Sequence, residues 1–109
     1  NIAWVHNYTT NRKITVFASS WVAATTGNTD DNIKLVVEYK GTKGTKPAAV
    51  LGLIEQDGTA NANAQDLLTA IPSGYEVTTV EYTTYVLFDG TVRADNYVST
   101  LTYTITATS

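Results

Sequence analysis

The chain has 109 residues, 43% hydrophobic and only 16% charged, with a net charge of −3. This is the size of one domain able to bury its own core. With no Cys it excludes a disulfide framework, an iron–sulfur cluster and a thiolate zinc site, and its net charge is too small to imply a nucleic-acid partner.

Residues 1–9, NIAWVHNYT, alternate weakly, with Ile2, Trp4, His6 and Tyr8 on one parity and Ala3, Val5 and Asn7 on the other. Asn11-Arg12 then reads as a turn, so 1–9 is set apart as an N-terminal strand and 10–109 as a single domain. A second strand runs Lys13–Ala24, with a bulge or burial on both faces expected around Trp21-Val22-Ala23-Ala24, where apolar residues follow one another. The loop TTGNTDDN, 25–32, is polar. A third strand covers Ile33–Tyr39 with Ile33, Leu35, Val37 and Tyr39 facing the core. KGTKGTK, 40–46, repeats Gly-Thr-Lys and reads as an exposed basic loop. Ala48–Glu55 is a short apolar strand, and Gln56–Thr59 turns. Residues 61–71 are expected to form the one short helix, capped by Asn61 or Asn63 and carrying Leu67, Leu68 and Ile71 at helical spacing, with Pro72 and Gly74 as its stop.

From Tyr75 to Phe88 the alternation lasts long enough for two strands or one bent strand. Asp89-Gly90 is a hairpin signal. The last strand is the clearest. Tyr97, Ser99, Leu101, Tyr103, Ile105 and Ala107 share one face, and Val98, Thr100, Thr102, Thr104 and Thr106 the other. The 20 Thr and 7 Tyr suit pleated, half-exposed surfaces. The expectation is an all-β, antiparallel two-sheet sandwich, Ig-like or jelly-roll, of about 7–8 strands.

Charge is uneven along the chain. Six Lys and Arg against three acids give +3 over residues 1–46, and one Arg against seven acids gives −6 over 47–109. Such asymmetry can orient subunits head to tail, although interleaved strands are expected to disperse it.

No catalytic constellation emerges, and no enzyme activity or cofactor is expected. His6, the only His, has no nucleophile motif beside it. Asn28, Asp30 and Asp31 crowd one loop with oxygen ligands, but the spacing of a calcium loop is missing, and a solvated turn is the plainer reading. Glu76 and Glu81 lie on opposite parities; Glu81, beside Val77 and Tyr85, is the one expected to be buried, next to a generic Lys13–Asn96 pairing for an intramolecular amide. Asn7-Tyr8-Thr9 is the only glycosylation sequon. The aromatics Trp4, Trp21, Tyr8, Tyr39, Tyr75, Tyr82, Tyr85, Tyr97 and Tyr103 are candidates for sugar stacking, against ordinary strand packing.

The ending ADNYVSTLTYTITATS resembles the closing strand of pilin and fimbrial-type domains: a turn, a Tyr, then a long alternating strand. The resemblance implies an Ig-like sandwich lacking one strand, completed by the N-terminal segment of a neighbour. Residues 1–9 would then be the donor, inserting Ile2, Trp4, His6 and Tyr8. The usual bacterial pattern also includes a Cys pair or a chaperone-recognised C-terminus, and neither is identified here. It implies a homopolymeric extracellular thread with a role in adhesion, contacting glycans or a host or cell surface. Residue 1 being Asn fits a secreted chain whose signal has been removed, and no apolar run approaches the roughly 20 residues of a membrane span. Rival expectations are a secreted carbohydrate-binding lectin and a viral capsid or decoration protein.

Overall fold

The structure is a computed structural model that describes residues 1–27, 32–87 and 94–107. Ten strand segments are present and, among the described residues, no helix: β1 (Ile2–His6), β2 (Arg12–Ala18), β3 (Val22–Ala23), β4 (Ile33–Tyr39), β5 (Leu51–Ile54), β6 (Gln65–Ile71), β7 (Gly74–Thr78), β8 (Val80–Val86), β9 (Tyr97–Val98) and β10 (Leu101–Ala107). All ladders are antiparallel. One layer is β10-β2-β6 and the other β5-β4-β8. Two short ladders extend them: β3-β9 continues the β2–β10 ladder, and β1 pairs with β7, which runs on into β8. The result is an antiparallel β-sandwich, 51 Å in its longest dimension.

The count exceeds 7–8 because long strands are interrupted. β2 and β3 part at Ser19, β9 and β10 at Ser99-Thr100, and the two breaks face each other. Hydroxyls take over where the ladder stops: Thr100 N–H donates to Ser19 Oγ at 2.8 Å, and Ser99 Oγ to the Ser19 carbonyl at 2.7 Å. Thr79 divides β7 from β8, and its carbonyl accepts from Lys40 N–H at 3.0 Å. The Asp89-Gly90 turn lies outside the described residues.

The helix expected over 61–71 is a strand. Leu67, Leu68 and Ile71 are all buried, although neighbours along a strand point to opposite faces. The register of β2 with β6 shifts between Arg12 and Ile14 and again between Ile14 and Thr15, and Ala70 adopts φ +52°. The bulged strand re-aims its side chains and so mimics helical spacing. Asn61, the expected cap, donates from its backbone and its side chain to the carbonyls of Leu53 and Gly52.

The core lies between the layers, from Trp4, Ile14, Val16, Leu35, Val37, Tyr39, Leu53, Ile54, Leu67, Leu68 and Ile71. Charge interleaves as expected in one place, where Lys13 pairs with Asp66 at 3.3 Å across β2 and β6.

Candidate functional site: one strapped side and one open side

The sandwich has two long sides, where edge strands of the two layers face each other. Along one, β5 and β6 are in contact, and the Gly-Thr-Lys repeat bridges the layers. Its first copy is held by Glu76. The carboxylate accepts from Thr42 N–H at 2.9 Å, Thr42 Oγ1 at 3.0 Å, Lys43 N–H at 3.4 Å and Tyr39 Oη at 2.6 Å. The Tyr39 hydroxyl in turn accepts from Trp4 Nε1–H at 2.9 Å. A Cβ on Gly41 would collide with both the Tyr39 ring and the Glu76 carboxylate. The bond from Tyr39, with those from Thr42 and Lys43, holds the Glu76 carboxyl at a pKa of about 2. Burial first, and then the bond to Glu76, push the Tyr39 phenol up to about 12.

The second copy fastens to β6: Thr45 N–H donates to Thr69 O at 2.7 Å and Thr69 N–H to Thr45 O at 2.9 Å. Gly44, at φ +75°, passes so near the Leu68 side chain and the Thr69 carbonyl that a Cβ would crowd both. The loop expected to be a free basic surface is therefore a strap. Its lysines are exposed, but its backbone and threonines are structural.

The opposite side, bounded by β8 and β1 in one layer and β10 in the other, has no strap among the described residues. Tyr103 and Ile105 of β10 lie opposite Val16 and Ile14 of β2, so they face the core. Val16 and Ile14 are 0% and 3% exposed, yet Tyr103 and Ile105 are 37% and 45% exposed. In the other layer Tyr82 lies opposite Val37 on the core-facing parity of β8, and is 40% exposed. Inward-directed side chains on both layers thus remain uncovered. A groove of about 320 Å³ runs between β1 and β10, floored by Ile14 and walled by Ile2, Trp4, Val5, Tyr103 and Ile105. Among the described residues no charged side chain lines it.

β1 fills part of this side. Among the described residues it pairs with β7 alone, from Ile2↔Thr78 to His6↔Gly74. The expected inward set is the one that enters the core: Trp4 and His6 are buried and Ile2 partly so, whereas Ala3 and Val5 are exposed. Tyr8 does not enter; it is exposed, with the Arg12 guanidinium 3.4 Å above its ring. His6 Nε2–H donates to the Ile71 carbonyl at 3.0 Å, and Nδ1 accepts from Tyr8 N–H at 3.3 Å. Nε2 thereby ties β1 to β6, while Nδ1 fixes the chain just beyond β1. All these contacts lie within one chain.

Asn7 and Thr9 of the sequon are exposed just beyond β1. Asn28, Asp30 and Asp31 lie outside the described residues, and among the described residues no three His, Asp or Glu side chains group to hold a metal. Glu81 is not the buried acid: it is exposed, opposite Glu38, and Glu76 takes the sheltered place. Lys13 opposes Thr106, whereas Asn96 sits against Ala24, roughly 35 Å further along the ribbon at strand rise, so no amide can join them. Trp4 is buried, and Trp21, partly buried against the core, donates Nε1–H to the Ile33 carbonyl at 3.0 Å. Tyr82 and Tyr85 point to opposite faces of β8. Among the described residues no helix is long and apolar enough to cross a membrane. No family model, no curated protein and no solved structure matches the chain.

Proposed function

We propose that this chain is the structural subunit of an extracellular surface filament, with a role in adhesion, whose copies complete one another by exchanging the segment 1–9. The open side supports this reading most strongly, because β1 is what covers it in part, so a copy whose own β1 has left would expose a core groove that the β1 of a neighbour fits. β1 is suited to exchange. It is held by one five-residue ladder, and its buried contacts with Tyr39 and Ile71 can be made identically in a neighbour. Only the polar turn at 7–11 has to change course. Exchange that passes each β1 to the next copy generates an open thread; exchange that closes on itself generates a dimer.

The test uses Ala3→Cys with Val77→Cys. These residues oppose each other across β1 and β7 on the exposed face. Either class of antiparallel pair sets their Cα atoms about 4.5–5.5 Å apart, within disulfide range. The bond forms in whichever chain β1 occupies. Native material seen as threads by negative-stain electron microscopy, which runs as a covalent ladder after oxidation and denaturation, supports exchange. Dispersed particles that run as covalent monomers overturn it.

A further inference from the structure

We infer that β10 is a second assembly surface, pairing antiparallel with β10 of another copy about a twofold axis at Thr104. The argument begins with the edge. β10 spans seven residues, pairs only with β2 among the described residues, and carries neither a charge nor a Pro. Charged residues, Pro and bulges are the devices by which natural sheets block such edges.

The sequence of this edge is complementary to itself. With Thr104 on the axis, Tyr103 meets Ile105 of the second copy and Ile105 meets its Tyr103. Thr102 and Thr106 meet likewise, and so do Leu101 and Ala107. Opposed residues of an antiparallel pair share a face, so both Tyr–Ile pairs fall on the core side, where these side chains lack cover. Aromatic with β-branched and Thr with Thr are among the stabilising cross-strand pairs.

Electrostatics selects the same occupant. The groove between β1 and β10 has no charged lining, so an inserted charge would be desolvated without a partner. A second β10 brings none. It joins the layer of β10 and β2, not that of β1, and the layers of a sandwich lie about 10 Å apart. Its Tyr103 and Ile105 therefore pack toward Ile2 without displacing β1. Two seven-residue strands run side by side for only about 24 Å, at the small end of protein interfaces. The pairing is consequently a weak, concentration-dependent dimer, or a lateral contact between threads.

The contact does not depend on exchange of β1, and the test keeps the two apart. The oxidised Ala3→Cys/Val77→Cys chain, with β1 fixed in its own molecule, is followed by sedimentation velocity from micromolar to millimolar. A monomer–dimer equilibrium is expected, weakened about tenfold or more by adding Ile105→Lys. In the otherwise unaltered chain, Thr104→Cys is expected to cross-link to itself at least about tenfold faster than Thr102→Cys, which faces Thr106 of the second copy rather than itself. A locked chain that stays monomeric throughout overturns the proposal. So does a dimer indifferent to Ile105→Lys, or a Thr104→Cys chain that cross-links no faster than Thr102→Cys.

Discussion

The strapped side and the open side are built from the same material, edge strands of a threonine-rich sandwich, and differ in what crosses them. On the first, eleven residues from Lys40 to Val50 carry the chain between β4 and β5, and Leu67 and Leu53 behind them are 1% exposed. On the second nothing crosses among the described residues, and side chains of the same inward parity stay half in water. The comparison teaches that parity decides where a side chain points, and the neighbouring element decides whether it is buried. A core-facing position becomes core only when something lies over it.

That difference can be broken most severely at the strapped side. Leu67→Ala is expected to cost about 3 kcal/mol by urea denaturation, since a fully enclosed leucine leaves a cavity that the strap cannot follow. Glu76→Ala comes next, at about 2 kcal/mol, because it strands the buried Tyr39 hydroxyl and the Thr42 amide together. Ile105→Ala, on the open side, is expected to cost about 1 kcal/mol or less, as much of its surface already meets water. An Ile105→Ala penalty equal to that of Leu67→Ala would show that the open side is covered in solution, by another copy or by residues outside the described set.

Acid and alkali sharpen the contrast, because both strongly shifted groups belong to the strap. The folded-state pKa of Glu76 is depressed from 4.5 to about 2. Its contribution is therefore complete above the unfolded value and is lost as pH falls from about 4.5 through 2. Tyr39 is raised from 10 to about 12, so its contribution is complete below pH 10 and is lost as pH rises through 12. Urea midpoints measured across pH 2–5 should fall toward acid in the native chain and flatten in Glu76→Gln. The smallest effect expected is at Ala70. Its φ of +52° strains an L residue, whereas glycine adopts it freely at an entropic cost of similar size. Ala70→Gly should thus move the midpoint by well under 1 kcal/mol, in either direction.

Much of the fold was legible in the sequence because one buried face imposes period two. The strands at 33–39 and 97–107, the bent stretch from Tyr75 and the inward set Ile2, Trp4 and His6 all follow from alternation. The strand at 65–71 was not legible. A bulge inserts an extra residue, and the resulting spacing of Leu67, Leu68 and Ile71 is the one an amphipathic helix would show. The strap escaped for another reason: Gly-Thr-Lys is generic on paper, and its role depends on Glu76 and Thr69, which lie 34 and 24 residues from the threonines they meet. The open side left a fainter mark, a last strand with no charge from Tyr97 to Ala107. Absence of charge there reads as burial when the sequence stands alone.

The polar turn at 7–11 leaves β1 at its His6 end, so the β1–β7 ladder and the turn lie in line. In a thread joined by exchanged β1 strands, tension would reach each joint along the strand direction. All five residue pairs of the ladder would then be loaded together in shear, instead of being unzipped one after another. The Trp4 and His6 side chains, seated in the core across that direction, would act as pegs against sliding. A joint modest in equilibrium terms would still be slow to part under load.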